Sequence, residues 1–246
     1  MCEVVWDCDL SRQEKTKPCR LDMATYADTC TDVTLVVGGT LLLTLILEFT
    51  SREAVRGVVK REGGPRLYRL AWAYSVGNQC MLGVPLYTVA ARWLCKPDAQ
   101  HETSFEWWCA FFGIVFCQSI IYYALHARFH TPALFWIHCF HHQFTSHVPP
   151  SAANAVSVVE YVVGYIGPLA VALITLRPSR SALREATAFL QVMNVLVHTP
   201  WLEPITERGA PWWLVGAHVH GAHHRRLTRH FASPTINWDA IVECWR

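Results

Sequence analysis

Eight histidines of this chain fall in three short groups, "HARFH" (His126, His130), "HCFHH" (His138, His141, His142) and "HGAHH" (His220, His223, His224), and His198 stands alone in "NVLVHTP". Histidine is neither a strong helix former nor cheap to bury, so crowding of this kind points to metal binding or proton chemistry. The spacing narrows the choice. At about 100° per residue, positions i and i+4 lie about 40° apart, so His126 and His130 stack on one helical face. In H-x-x-H-H the three rings cover an arc of about 100°, again one face. Two such triplets and one pair can turn eight imidazoles toward a common centre. An all-nitrogen set suits iron, zinc or copper and serves calcium or magnesium badly.

Such a centre needs elements to carry it, and the composition says what they are. Hydrophobic residues make up 52% of the 246 and charged residues 16%, with mean hydropathy +0.19, which leaves too few charges to cover a water-facing surface. Apolar runs of roughly spanning length occur at 33–49, 70–90, 107–125 and 155–176, with a weaker one at 183–197. The sequence therefore predicts an all-α, polytopic membrane protein of about four to five transmembrane helices. Between the first two runs lies a loop with Arg52, Arg56, Lys60, Arg61, Arg66 and Arg69, which the positive-inside rule puts in the cytosol. Alternating from there, residue 126 onward and residue 198 onward both arrive on the cytosolic face. Every histidine except His101 then lies on that one side, at or just beyond a helix end. The chain divides into an N-terminal segment (1–32), two helices with their loops (33–106) and a catalytic portion (107–246).

Other readings are narrower. His101, His147 and His230 read as ordinary interfacial histidines, and His218 is drawn toward the site only by its neighbours. The exposed-type aromatics "FEWW", "FW" and "PWW" read as setting helix depth rather than binding substrate. Ten cysteines show no framework and read mostly as free thiols. The opening "MCEVVWDCDLSRQEKTKPCR" has acidic residues where a cleavable signal needs a basic start. A net charge of +2, without a basic stripe, gives no reason to expect nucleic acid.

The histidine series resembles the fatty acid hydroxylase/sterol desaturase superfamily of membrane oxygenases. Its pattern of a histidine pair, an H-x-x-H-H, a single histidine and a second H-x-x-H-H reads here as "HARFH", "HCFHH", His198 and "HGAHH". The likeness runs over roughly 107–242, closing on "FASPTINWDAI". It implies a non-haem di-iron centre held by His126, His130, His138, His141, His142, His198, His220, His223 and His224. It also implies endoplasmic reticulum residence, and electrons from a carrier such as cytochrome b5 and its reductase. O2 would then be turned against a lipid from the bilayer: a sterol or sterol precursor, or a fatty acyl or sphingoid chain. Hydroxylation and desaturation are both open, as is a squalene epoxidase-like oxygenation on the same scaffold. Two departures bear on substrate branch: Ser157 stands where sterol-type members often have histidine, and Asn194 where long-chain 2-hydroxylases do. The haem-binding "HPGG" of a fused cytochrome b5 module is absent, so the reductant is expected to be another protein.

Metal-bound imidazoles need polar partners on their second nitrogen. Asn194, Glu160 and Asp239 are the candidates, Glu160 being equally readable as the partner of an interfacial arginine. A non-catalytic membrane metal-binding or transport protein is the rival of another class, and the placing of the clusters at helix ends speaks against it. A metalloprotease would need "HExxH", which the chain lacks.

Overall fold

The computed structural model describes residues 23–96 and 103–245, and every regular element among them is helical. The long elements are α1 (Met23–Thr50), α2 (Arg52–Arg61), α3 (Gly64–Gly77), α4 (Val84–Trp93) and α5 (Ser104–Phe129). After the short α6 (Phe135–His138) come α7 (Val158–Glu160), α8 (Gly167–Leu176), α9 (Arg180–Val197), α10 (Glu203–Gly209), α11 (Ala217–Arg226) and α12 (Trp238–Cys244). Of the predicted N-terminal segment, residues 1–22 lie outside the described residues, with Cys2, Cys8 and Cys19; so does His101. Among the described residues, Cys30, Cys80, Cys109, Cys117, Cys139 and Cys244 are free thiols.

Local chemistry explains where these helices start and bend. Thr103 and Glu106 form a capping box at the start of α5, Thr103 Oγ1 accepting from Glu106 N at 3.2 Å and Glu106 Oε2 accepting from Thr103 N at 2.9 Å. Ser179 caps α9 through Ala182 N. α3 and α4 are joined by a π turn (Asn78–Gly83), and α7 and α8 by another (Tyr161–Ile166). Each is followed one residue later by a proline, Pro85 or Pro168, whose ring would clash with a carbonyl four residues back in a tight helix. The wider turn gives that ring room.

Asp28–Thr50, Ser104–Phe129 and Val158–Leu176 are long and apolar enough to cross a bilayer. The chain is thus an integral membrane protein. The runs at 70–90 and 183–197 also form helices but fall outside those three. Asn78 and Gln79 are buried at the π turn of one, and the other carries Arg184, which donates to Asp32 at 2.8 Å. The expected four to five spans is accordingly approximate. The basic stretch 51–69, expected as a loop, folds as α2 and the beginning of α3. Ala54, Gly57 and Val58 face inward there, while Arg52, Arg56, Lys60 and Arg61 stay exposed.

α1, α4, α5, α8 and α9 pack around a core of Val33, Tyr87, Ile114, Leu173, Leu183 and Ala186. Their outer faces are also apolar. On α5, Phe105, Trp108, Phe112, Phe116 and Ile120 recur every three or four residues along one exposed stripe, the arrangement a lipid-facing helix requires. α5 and α9 bring their C-terminal ends to the same end of the bundle, where α7 begins and α11 crosses. All the histidine groups meet there.

Candidate metal centre

Nine histidines meet in two adjacent groups: His126, His130, His138, His142 and His223 in one, and His141, His198, His220 and His224 in the other, with the ring nitrogens of each group within 4.8 Å of one another. These are the residues singled out from the sequence. The common centre suggested by their spacing is built as two adjoining groups, and helix geometry explains how the rings are shared between them. Positions i and i+4 share a face, so the pairs 126/130, 138/142 and 220/224 stay together. The remaining ring of each H-x-x-H-H points off that face and crosses over, His141 to the second group and His223 to the first. The two groups are interleaved, with His142 and His224 ring centroids 4.9 Å apart.

The contacts within each group reveal what the rings want between them. Nδ1–H of His126 donates to the Phe231 carbonyl at 2.7 Å, that of His223 to Arg229 O at 2.9 Å, that of His198 to Asn194 O at 2.7 Å and that of His224 to Phe144 O at 2.8 Å. A carbonyl only accepts, so each of these rings has its hydrogen on Nδ1 and a lone pair on Nε2. His138 is set the same way by Glu160, whose Oε1 accepts from Nδ1 at 2.6 Å. Yet Nε2 of His126 and of His138 stand 2.8 Å apart, and the Nε2 atoms of His130 and His142 follow at 3.3 and 3.2 Å. In the second group the Nε2···Nε2 distances are 3.4 Å (His198–His141), 2.9 Å (His220–His198) and 3.2 Å (His224–His220). Facing lone pairs repel unless a cation lies between them. Nitrogens bound about 2.1 Å from a metal lie roughly 3.0 Å apart at a right angle and 3.4 Å apart at a tetrahedral one, the spacing seen here. His223 Nε2, buried and without a hydrogen-bond partner among the described residues, belongs to the first group. The donor set fits metal ions.

Protonation does not compete with that role near neutral pH. Burial lowers the histidines outside the spans: His130 and His198 to about 4 and His223 to about 3. His138, His141, His142, His220 and His224 are also held well below the ordinary imidazole value by burial, with neighbouring histidines adding to it.

The supporting residues behave less uniformly than the sequence suggested. Glu160 is fully buried and pairs with His138, not with an arginine. Ser157 lies beside it: its Oγ caps Glu160 N at 3.1 Å and donates to Ile137 O at 2.7 Å, fixing the carboxylate next to the ring it holds. Asn194 orients His198 through its backbone carbonyl, while its side chain donates to Ala153 O at 3.0 Å. Asp239 acts one step further away: Oδ2 accepts from Ala232 N at 2.7 Å, bracing the residue after Phe231. Four of the five assigned orienting groups are main-chain carbonyls, which no residue type announces. His147 binds Glu62 and His218 binds Thr206, both outside the two groups. Trp136, Trp212 and Trp213 are exposed.

An all-helical membrane protein with two touching all-histidine groups at one end of its bundle belongs among the membrane metalloproteins. The chain is a member of the fatty acid hydroxylase family, whose model, described as "Fatty acid hydroxylase", matches residues 111–244. All nine histidines and their five orienting groups lie inside that match; α1 to α4 precede it. No curated protein and no solved structure matches the chain.

Proposed function

We propose that the protein is an iron-dependent, O2-using membrane oxidoreductase that hydroxylates or desaturates a lipid, with the nine grouped histidines as ligands to two iron ions. The observation that carries this reading is the convergence of Nε2 lone pairs at 2.8–3.4 Å in two adjoining groups within a fatty acid hydroxylase domain. Iron ions there would supply the redox chemistry with O2 needed against an unactivated C–H bond. The protein's own part is positional. Carbonyls and Glu160 fix which nitrogen each ring presents, helix spacing sorts the rings between ions, and apolar packing keeps water away. Neutral imidazoles leave the ions most of their positive charge. The metal end faces the cytosol in this reading, the basic face of α2 being on that side, and the membrane is that of the endoplasmic reticulum. Electrons come from a separate carrier such as cytochrome b5 with its reductase, and the lipid enters sideways from the bilayer.

The test is metal analysis of the purified protein, together with lipid profiling of cells with and without it. Two irons per chain and a lipid shifted by one oxygen or two hydrogens, dependent on O2, is the expected result. One stoichiometric zinc and an unchanged lipid profile would replace it with the metal-binding reading.

A further inference from the structure

Between α1, α4, α5, α8 and α9 runs an internal cavity. It begins at Tyr122 and Asn194, one turn before His126 and His198, and reaches away from the histidines to Val33, Tyr87 and Leu173. Its wall is mainly apolar. Three polar atoms on it, Tyr87 Oη, Gln118 Oε1 and Thr187 Oγ1, are buried without a hydrogen-bond partner among the described residues. Tyr87 and Gln118 are each only 8% exposed. Buried polar atoms are nearly always paired, so three on one wall of one cavity point to a ligand that pairs them. They come from three helices, Tyr87 from α4, Gln118 from α5 and Thr187 from α9. Tyr87 packs in the cluster that contains Ile114, Val115, Leu183 and Ala186, and Gln118 and Thr187 adjoin those residues along α5 and α9. Gln118 is eight residues before His126 and Thr187 eleven before His198. At the helical rise, Gln118 and Thr187 lie about 12 and 17 Å along their helices from the ring-bearing positions.

We infer that Tyr87, Gln118 and Thr187 form a subsite for the hydroxyl of a lipid alcohol, which it holds far from the histidines. Resting on the oxygenase reading, this directs oxidation to carbon remote from that hydroxyl. The chemistry selects the group. A group that both donates and accepts can pair with the Gln118 amide and with the Tyr87 and Thr187 hydroxyls alike, whereas an ester, ether or ketone only accepts and leaves Oε1 unpaired. No charged side chain lines the cavity itself, and beside Tyr87 the Arg184 guanidinium is already paired with Asp32, so neither a carboxylate nor an amine meets an unpaired opposite charge there. A hydroxyl offers one donor to Gln118 and two lone pairs to the hydroxyls of Tyr87 and Thr187. Tyr87 precedes the family match, so this end of the cavity is built partly by the N-terminal helices.

Equilibrium binding of tritiated 1-hexadecanol and of its methyl ether to the purified full-length protein in detergent, without reductant, tests the subsite. The ether keeps the chain and loses the donor. The wild type should prefer the alcohol about tenfold, the scale of one buried hydrogen bond. Gln118→Leu and Thr187→Val should each shrink that preference to about threefold or less with ether binding unchanged. Thr187→Val matches threonine in shape and keeps the test alive should Gln118→Leu fail to fold. Equal binding of alcohol and ether by the wild type, or a preference retained by both variants, overturns the subsite. Alcohol preference in a protein without iron or turnover overturns the oxygenase reading alone. Turnover without alcohol preference overturns the subsite alone.

Discussion

The two histidine groups look alike in content and differ in how they are held. In the first, His126 and His223 lean on main-chain carbonyls, but His138 leans on the carboxylate of Glu160. In the second, both assigned partners are carbonyls, Asn194 O for His198 and Phe144 O for His224; among the described residues, unpartnered Nδ1 atoms occur in both groups, on His142 in the first and on His141 and His220 in the second. The first group therefore has a side chain through which its electronics can be tuned, because the hydrogen bond that Glu160 accepts from His138 raises that ligand's basicity. The second is set by backbone placement. Mutations of supporting side chains should reach the first group and largely miss the second.

Removing a ligand is the bluntest way to break the symmetry. His141→Ala takes one of four rings from the second group and His223→Ala one of five from the first. Both should abolish product while the protein still inserts in membranes, since neither lies in an apolar span. Metal analysis should separate them, with more metal retained in His223→Ala, where four rings remain. Wild-type turnover in either variant would contradict the ligand assignment.

Glu160→Gln keeps an acceptor oxygen and replaces the acid with an amide. Loss of such a supporting partner costs about 10–100-fold in metal affinity or activity, and the amide, retaining its geometry, belongs at the lower end. Titration of the two metals should show the weakened ion in the first group alone. Equal weakening of both would mean that the groups are held as one unit.

Acid should act on both groups through the same cause. Burial depresses the folded-state value of His130 and His198 to about 4 and of His223 to about 3, whereas an unfolded histidine titrates near 6.5. The unfolded chain binds more protons between those values. The stability these rings contribute is therefore complete above about 6.5 and is lost as pH falls toward about 4. Denaturant unfolding of metal-free protein should show that decline, and metal-loaded protein should show it at lower pH. A metal-free midpoint flat from pH 7 to 4 would contradict it.

The ligands were legible because an i,i+4 repeat of a costly residue type carries its own geometry. His126/His130 and the two H-x-x-H-H runs predicted a shared face before any fold was known. Their division into two groups was not legible, because it depends on how α5, α6, α9 and α11 approach one another. Nor could spacing find the carbonyls of Phe144, Arg229 and Phe231, since any residue supplies one. Glu160 was visible as an expensive carboxylate near a span, and only the fold chose His138 over an arginine as its partner. The apolar runs located the helices, while Pro85 and Pro168 marked bends that length and hydropathy alone passed over. The basic stretch at 51–69 shows the converse limit. Its charges suggested a loop, but Ala54, Gly57 and Val58 give it a buried face, Val58 packing with Leu67, Phe144 and Val148. A Cβ on Gly57 would sit 1.9 Å from His147 Cδ2, so α2 can lie that close only with glycine there.

The finest separation of the two groups comes from Asn194, the residue whose type suggested a role that its backbone performs. Asn194→Ala leaves the carbonyl that accepts from His198 in place, so the second group should keep its metal. What is lost are the side-chain hydrogen bonds from Nδ2 to Ala153 O at 3.0 Å and, more weakly, to Asn154 Oδ1 at 3.4 Å, together about 1–2 kcal/mol, with a buried carbonyl left to find another donor. A small fall in unfolding midpoint with unchanged metal content is the expected pair of results. Loss of metal from this variant would show that the amide itself steadies His198, and the contrast with Glu160 would then disappear.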